Sequence, residues 1–377
     1  MKSKLGSWVA NLVLIVAAVG VTLGGFEIAL RVFLPQKLYR FPRGLFRSDP
    51  DTVFSLSPNF SGVLKNPEYT TQVRINALGL RGPAPGPKGE NDLRVLGLGD
   101  SFASAFNVSE PHTFLAVAEK RMQQALAGKK VEVINAGTPN YGTWHELRVF
   151  RKFAPTLHPD FAVLCVFVGN DLDNNLAPYQ AEVKDGFLVE RKHITGLIPY
   201  SLRSWLQRNS MSYVFLWNAW NHVRPWFGKP EADALKSEKD LFSVKPVPSV
   251  ERAYQVSAGL MKEFDAFSKQ SGVPVLAVLI PTEYQTYPDE FGKVLRQQRL
   301  NVGDFDLELP QRRWSDLAKS AGIPVLDLLP ILRSHASGKY LYMSLDGHLS
   351  IEGNRLAGES IGDAVKSMMQ APSVSLP

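Results

Sequence analysis

The sequence predicts an α/β fold in which a parallel sheet is covered by helices on both faces. From Leu93 onward, short apolar runs alternate with stretches of helical period. The runs are continuously apolar, which is typical of strands buried on both faces. Glycine and polar residues directly follow several runs, and sites in open parallel sheets lie at the carboxyl ends of strands. The sequence therefore predicts both the sheet and the edge that carries its site.

The predicted domain spans residues 91–372 and contains five strands and five helices in alternation. Each strand candidate is a short apolar run, and the stretches between them place apolar residues at helical spacing. Strands that alternate with helices are typical of βαβ units and hence of a parallel sheet. The strands are predicted at 93–98, 131–135, 161–168, 274–280 and 324–329, and the helices near 112–127, 145–154, 249–270, 311–321 and 350–369.

Residues 1–35 are predicted to form an N-terminal membrane anchor. The run from Gly6 to Phe26 is uncharged, rich in Val, Leu and Ala, and about long enough to cross a bilayer as a helix. A cleavable signal peptide is the alternative, although its apolar core is usually shorter. Five basic residues follow the run and two precede it. This charge bias favours a cytoplasmic location for the rest of the chain.

The net charge of +6 is concentrated at the N-terminus. Residues 1–50 carry seven Lys and Arg against two Asp and Glu, whereas the remainder carries 35 against 34. A nucleic-acid interface needs basic residues clustered on the folded body, so this distribution argues against a nucleic-acid partner. A basic stretch beside anionic lipid is the simpler explanation.

Two regions do not fit the alternation. Residues 36–90 are predicted to be a membrane-proximal, β-containing segment, with a strand at 69–76, an Asn76-Ala-Leu-Gly-Leu-Arg81 element and a Pro- and Gly-rich linker at 82–89. Residues 180–246 are predicted to be a helical insertion. The insertion has three interpretations: a subdomain packed on the core, a lid or an acyl- or sugar-binding wall over the site, or a contact with the membrane interface.

The composition of the insertion supports its helical prediction. Tyr213, Leu216, Trp217 and Trp220 recur at helical spacing. The insertion also holds four of the seven tryptophans and several interspersed arginines, namely Trp205, Trp217, Trp220, Trp226, Arg203, Arg208 and Arg224.

A nucleophile is predicted at Ser101. The residues Gly99-Asp100-Ser101-Phe102 directly follow the first strand candidate, in a tight turn where an α/β sheet presents a nucleophile. A serine hydroxyl is a poor nucleophile unless a base lies beside it, and a base that is neutral near pH 7 points to histidine. Asp100 is expected to hold the turn through side-chain to backbone hydrogen bonds.

The base is predicted to be His348. It alone lies beside an acid in a glycine-containing turn that precedes a helix. Asp346 is expected to accept the other imidazole N–H and fix the tautomer, with Asp327 as the alternative acid. The remaining histidines are His112, His145, His158, His193, His222 and His335.

The order of these motifs resembles the SGNH (GDSL-type) hydrolases over roughly residues 92 to 370. The matching residues are the Gly-Asp-Ser ending at Ser101, Gly137, the Gly-Asn-Asp around Asn170, and the late Asp346 and His348 pair. The resemblance implies a flavodoxin-like, doubly wound five-stranded parallel sheet. It also implies an oxyanion hole made by the backbone N–H of Ser101, the backbone N–H of Gly137 and the side-chain amide of Asn170.

One departure from the family pattern concerns the acid. The aspartate usually stands three residues before the histidine, whereas Asp346 stands two before His348. A shorter Asp-x-His variant also occurs among SGNH-like envelope proteins. The spacing still allows a hydrogen bond across the turn.

The expected function is that of a serine esterase acting through an acyl-enzyme, with O-acetyl groups of envelope glycans as the first substrate candidates. The alternatives are an O-acyltransferase with the same triad and a non-catalytic envelope binding or assembly protein. The resemblance implies a single-pass anchor with an exported domain, against the charge bias. No cofactor or metal is expected, because the sequence has no Walker loop, HExxH motif or Cys/His cluster. Cys165, the single cysteine, is expected to be a buried apolar residue.

Overall fold

The computed structural model describes residues 2–36, 38, 41–126, 128–190, 199–223, 238–338 and 340–370. These residues form two compact units. One unit contains the described residues within 1–40, 65–68 and 193–231, and the other contains those within 41–64, 69–192 and 232–377. The predicted residues His193, Arg224 and Trp226 lie outside the described part of the chain.

The larger unit is built on a parallel sheet. The strands of the chain are β1 Phe46–Asp49, β2 Val53–Leu56, β3 Ser61–Lys65, β4 Thr70–Arg74, β5 Leu93–Gly99, β6 Val131–Asn135, β7 Phe161–Phe167, β8 Ala181–Lys184, β9 Phe187–Glu190, β10 Val275–Ile280 and β11 Val325–Asp327. Five of them form one sheet in the order β11-β10-β7-β5-β6, and adjacent strands in this sheet are parallel. This is the flavodoxin-like order, so the predicted doubly wound fold is confirmed.

Helices follow the strands closely. They are α1 Lys2–Phe33, α2 Ser101–Ser104, α3 Phe114–Ala125, α4 Thr143–Leu157, α5 Asp171–Leu176, α6 Tyr200–Asn209, α7 Met211–Val223, α8 Pro248–Ser271, α9 Glu283–Thr286, α10 Pro288–Gln297, α11 Leu309–Ser320, α12 Leu329–Ser334 and α13 Ile351–Gln370. Every strand and helix predicted between residues 93 and 370 is present, with ends shifted by a few residues.

Two apolar cores lie against the sheet. In one, β5, β7 and β10 pack with α3 and α13 through residues such as Phe114 and Ile361. In the other, the same strands pack with α4, α8 and α11, which contribute Phe150, Phe264 and Trp314. All residues of β5 and β10 are buried, as expected for strands covered on both faces.

The strand register brings the carboxyl ends of three strands together. Gly99 of β5 is paired with Cys165 of β7, and Phe167 of β7 is paired with Ile280 of β10. The turns that follow these strands therefore emerge at one edge of the sheet, which is where sites form in this architecture.

The insertion is helical over α6 and α7, as predicted, but it begins with a hairpin that the sequence analysis did not predict. β8 and β9 are antiparallel, and Asp185 and Gly186 between them both have positive φ (52° and 80°). An Asp-Gly pair with this backbone is a favoured two-residue hairpin turn. Ala181 and Leu188 are buried in the core of the larger unit.

The segment before the sheet also belongs to that core. Leu45, Phe54 and Leu64 are at most 1% exposed. The Tyr141 hydroxyl of the larger unit donates to the Phe54 carbonyl at 2.6 Å. The strand predicted at 69–76 is present as β4.

Helix α1 is the candidate membrane span. Its portion Ala10–Phe33 has a mean hydropathy of 2.2, and residues 10–25 are all exposed. Its length and composition suit a membrane-crossing helix, and a signal sequence at the same place has the same properties.

Two helical glycines should respond in opposite ways to alanine. A Cβ on Gly358 of α13 would lie 2.5 Å from the Phe114 carbonyl oxygen, whereas a Cβ on exposed Gly259 of α8 would meet nothing within 4 Å. We expect Gly358→Ala to lower the free energy of unfolding by about 1–3 kcal/mol, through overpacking. Gly259→Ala should raise it by about 1 kcal/mol through helix propensity. Urea unfolding of both variants measures this, and shifts of the same sign would contradict the packing described for α3 and α13.

Candidate active site

The candidate nucleophile lies in a capped turn at the end of β5. Ser101 is the first residue of α2, and the Asp100 carboxylate accepts a hydrogen bond from the Phe102 N–H at 2.8 Å. Asp100 is fully buried, so it caps the helix from beneath the site. Gly99 leaves no room for a side chain, because a Cβ there would lie 2.6 Å from the Ala103 Cβ.

The candidate base lies in a turn just before α13. The Gly347 N–H donates to the Met343 carbonyl at 2.7 Å, and the Met343 N–H donates to the His348 carbonyl at 2.7 Å. Gly347 has a φ of +77°, a conformation that favours glycine. This turn presents the side chains of Asp346 and His348 together.

The three predicted side chains form a continuous hydrogen-bonded chain. Ser101 Oγ lies 2.8 Å from His348 Nε2, and His348 Nδ1 lies 3.1 Å from Asp346 Oδ2. The His348 side chain is 14% exposed and that of Asp346 is fully buried. The Tyr69 hydroxyl also donates to Asp346 Oδ2, at 3.3 Å. The serine end of this row of hydrogen bonds is therefore more accessible than the acid end, which lies in the interior.

Aromatic rings fix the plane of the imidazole. The rings of Phe102 and His348 have centroids 4.7 Å apart, and Phe102 stacks on Phe167 at 4.0 Å. The Phe102 ring therefore lies between the Phe167 ring and the imidazole of His348.

The Asn76-Ala-Leu-Gly-Leu-Arg81 element anchors the nucleophile helix. Asn76 Oδ1 accepts the Leu78 and Leu80 N–H groups and closes the turn. The buried Arg81 guanidinium donates to the Ser104 carbonyl and, at 2.8 Å, to the Val108 carbonyl. Burial lowers the pKa of Arg81 to about 10, so the group stays charged at neutral pH. The element therefore holds the end of α2 and the loop after it.

Gly137 lies beside the nucleophile helix, and its N–H already has a partner. A Cβ on Gly137 would lie 2.4 Å from the Ser104 nitrogen, which requires glycine here. The Gly137 N–H donates to Asn135 Oδ1 at 2.9 Å, and Asn135 Nδ2 donates to the Ala103 carbonyl at 2.8 Å. A substrate oxyanion would have to compete with the Asn135 carbonyl for this donor.

Asn170 lies next to Asp100 at the start of α5. Burial raises the pKa of Asp100, while hydrogen bonds from Phe102 and from the Asn170 side chain and the charge of His348 act in the opposite direction. Asn170 Oδ1 is buried and has no hydrogen-bond partner among the described residues. The Asn170 amide is therefore held beneath the turn that carries Ser101.

Three carboxyl groups are buried together behind the site. Asp100, Glu146 of α4 and Asp171 of α5 are each at most 1% exposed. Both oxygens of Glu146 and one of Asp171 lack a hydrogen-bond partner among the described residues. Burial raises the pKa of Glu146 and of Asp171 well above their ordinary values, and the charge of Asp100 adds to the shift of each. Protonated carboxyls are the favoured state there.

The other acids and histidines have different surroundings. Asp327, the alternative acid, accepts the Leu329 N–H at 2.9 Å. Burial lowers the pKa of His145 to about 4. His112 Nδ1 lies 2.7 Å from Ser109 Oγ on the surface, but no carboxylate lies within ion-pair distance of His112 among the described residues. The Ser101–His348 contact thus differs from the Ser109–His112 contact in having an acid behind the histidine.

No group of three or more His, Cys, Asp and Glu side chains in the described ranges is arranged to hold a metal ion. Cys165 is buried in β7, and burial raises the pKa of its thiol well above the ordinary value.

The motifs singled out in the sequence fall at corresponding places of the sheet. Ser101, Gly137 and Asn170 follow β5, β6 and β7, and His348 comes just before the last helix. The larger unit has a flavodoxin-like fold with these motifs at one edge of its sheet. This is the arrangement that the resemblance of the sequence motifs implies.

Comparisons with known proteins give matches among solved structures, whereas no family model and no curated protein matches the chain. A lipase/acylhydrolase from Enterococcus faecalis is 12% identical with a TM-score of 0.39, over 73% of this chain and 96% of that one. A putative lipolytic protein of the G-D-S-L family from Desulfitobacterium hafniense DCB-2 is 15% identical with a TM-score of 0.37, over 72% and 99%. A two-domain esterase active on acetylated mannans is 12% identical with a TM-score of 0.40, over 76% and 52%.

Two features of the candidate site have no signal in the sequence. Tyr69 reaches Asp346 from 277 residues away in the chain, and only the fold brings them together. Glu146 lies in an amphipathic helix, where a glutamate ordinarily faces solvent. The Gly99-Asp100-Ser101 motif gives no indication that Glu146 is buried behind it.

The buried carboxyls predict a particular dependence of stability on pH. The folded-state pKa of Glu146 is raised, so the unfolded chain releases this proton first and stability falls as pH rises above the ordinary glutamate value of about 4.3. Glu146→Gln removes the titratable proton and keeps the shape of the side chain. We compare the unfolding free energy of the variant with that of the wild type at each pH. We expect this difference to shift in favour of the variant by about 1–3 kcal/mol between pH 5 and pH 8.

Thermal unfolding across this pH range measures the effect, with exposed Glu90→Gln as the matched control. Asp100, Asp171 and Cys165 face Glu146 in both proteins, so part of the loss of stability persists in the variant. Parallel pH profiles for wild type and Glu146→Gln would contradict the assignment of a protonated Glu146.

Proposed function

We propose that this protein is a serine ester hydrolase that acts through an acyl-enzyme. The observation that supports the proposal is the chain of contacts from Ser101 Oγ to His348 Nε2 (2.8 Å) and from His348 Nδ1 to Asp346 (3.1 Å). A nucleophile, a base and a buried acid in this order are the parts that acyl transfer needs.

The reaction begins at Ser101. Its Oγ attacks the ester carbonyl while His348 Nε2 takes the hydroxyl proton. Asp346 accepts the Nδ1–H, which fixes the tautomer and stabilises the imidazolium that forms. His348 then donates its proton to the leaving alcohol, and an acyl group remains on Ser101. Water attacks this acyl-enzyme with His348 again as the base, which releases the acid and restores the hydroxyl.

The negative charge of the tetrahedral intermediate needs fixed donors. We assign this role to the backbone N–H of Ser101 and the side-chain amide of Asn170, which Asp100 holds next to the nucleophile turn. Gly137 joins them only when its N–H leaves Asn135 Oδ1. Because Gly137 is packed against α2, it also keeps the loop after β6 close to the site.

The site itself indicates an ester substrate and no narrower class. We propose O-acetyl groups on envelope glycans as the first substrates to test, because the candidate span α1 would hold the protein at a membrane.

Adding a glycan acceptor to the assay separates hydrolysis from transfer. Released acetate indicates an esterase, and acetylated glycan indicates the O-acyltransferase that uses the same side chains.

We further propose that the larger unit is exported. The resemblance to SGNH-type proteins with short N-terminal anchors supports export, whereas the basic residues after the apolar run favour the cytoplasm. Fusions of the C-terminus to alkaline phosphatase and to a fluorescent protein test the orientation. An active phosphatase supports export, and a fluorescent fusion without phosphatase activity contradicts it.

A fluorophosphonate probe should label Ser101 in the full chain. We expect Ser101→Ala and His348→Ala to abolish labelling, because the hydroxyl and its base are both required. Asp346→Asn should slow labelling by about 10³–10⁴-fold, since the imidazole would lose its orientation. Mass spectrometry of the labelled peptides locates the modified serine.

The Ser109–His112 contact supplies matched controls. Ser109→Ala and His112→Ala should leave labelling unchanged, because this pair lies on the surface and has no acid partner among the described residues. A folded protein that takes no label at Ser101 would contradict the proposal and favour the non-catalytic binding or assembly function.

Asn170→Ala should lower kcat for an activated ester by about 10²–10³-fold with little change in KM, because it removes a donor used in the transition state. The control is Asn174→Ala on the same helix, whose amide donates to the Tyr141 carbonyl at 2.8 Å. Steady-state kinetics decide the point. Equal turnover in wild type and Asn170→Ala would remove Asn170 from the oxyanion hole.

A further inference from the structure

A carboxylate near the end of α1 fastens the start of α7. Glu27 accepts hydrogen bonds from the Met211 N–H at 2.9 Å, the Ser212 N–H at 2.8 Å and the Ser210 hydroxyl at 3.1 Å. The Met211 and Ser212 N–H groups are among the donors that the first turn of a helix leaves unpaired. Glu27 therefore caps α7 from a residue of the apolar helix, and the two helices belong to the same compact unit.

Neighbouring residues strengthen this junction. Arg31 donates to Glu27 and, at 2.8 Å, to the Asn209 carbonyl at the end of α6. The rings of Phe26 and Phe215 meet edge to face at 5.7 Å. Leu30 is 5% exposed, in contrast to the exposed residues earlier in α1. The junction of α6 and α7 is thus fixed at residues 26–31 of α1.

The charge pattern of α1 places this junction at a membrane boundary. The uncharged run from Gly6 to Phe26 is about 31 Å long as a helix, at 1.5 Å per residue. The hydrocarbon core of a bilayer is about 30 Å thick. When this run spans the core, Glu27 lies where the headgroups begin. The residues that it caps, Met211 and Ser212, then lie at the same level.

Large apolar side chains are exposed on both helices that meet there. Leu202 and Trp205 are three residues apart on α6 and are 50% and 54% exposed. Leu216 and Trp220 are four residues apart on α7 and are 56% and 53% exposed. Residues at these spacings share a helix face. Tryptophan is enriched at the level where a bilayer meets water, because its ring is apolar and its N–H is polar.

We propose that α6 and α7 form a membrane-binding surface that inserts Leu202, Trp205, Leu216 and Trp220 into the interface of the bilayer crossed by α1. The occupant is the bilayer because the surface starts at residues 210–212, which are hydrogen-bonded to Glu27 at the membrane boundary. The surface and the span would then hold this unit by two separate contacts. The inference does not depend on esterase activity.

Nitroxide spin labels on the full chain in vesicles of phosphatidylcholine and phosphatidylglycerol test the proposal. Leu202→Cys and Leu216→Cys carry the label in a Cys165→Ala background, and Val302→Cys in the larger unit is the matched control, since Val302 is an apolar residue that is 60% exposed. Thermal unfolding establishes that each labelled protein is folded. Collision with oxygen, which is concentrated in lipid, is compared with collision with a water-soluble nickel chelate.

We expect labels at 202 and 216 to collide several-fold more with oxygen and several-fold less with nickel than the label at 302. Wild-type tryptophan fluorescence should also be quenched by brominated lipids, and Trp205→Phe combined with Trp220→Phe should reduce this quenching. Equal nickel accessibility at 202, 216 and 302 would overturn the proposal. Shielding from nickel that disappears on dilution of the protein in lipid would also overturn it, because a second copy would then be the occupant.

Discussion

The candidate site depends on one hydrogen bond between side chains 247 residues apart, from Ser101 to His348. The parallel sheet supplies one partner, because β5 ends at the nucleophile turn. The turn before α13 supplies the other. Asn354, in the first turn of α13, accepts the Phe114 N–H of α3 at 3.0 Å and so ties the last helix to the sheet's flanking helix. Any change that shifts α13 against α3 would move the base away from the serine.

The surroundings of the site hold the turn in two ways. From outside the sheet, Arg81 binds the carbonyls at the end of α2 and beyond it. From beneath, Asp100 caps the same helix while Glu146 and Asp171 lie buried nearby with raised pKa values. Protonated carboxyls avoid the repulsion that three ionised groups would have in a low-dielectric interior. Protonation of Glu146 and Asp171 therefore keeps two of the three possible negative charges out of the interior behind the nucleophile.

The fold was predictable where burial shows directly in the residue pattern. Continuous apolar runs marked the five strands, and the motifs after them marked the edge of the site. The Asp185-Gly186 hairpin was missed although its turn residues are a local signal. Tyr69, Glu146 and the Asn135–Gly137 hydrogen bond were not predictable, because long-range contacts, burial and the engagement of a backbone N–H appear only when the chain is folded.

The central claim is that Ser101 becomes acylated during turnover. The most direct measurement is rapid acid quenching of the full chain with an activated acetyl ester, followed by mass mapping of its peptides. The account predicts one acetyl group on the peptide that contains Ser101, present within the first turnover, retained in Ser109→Ala and absent in Ser101→Ala. Ester turnover with no acetyl group on Ser101, or with acetyl on another residue, would contradict it.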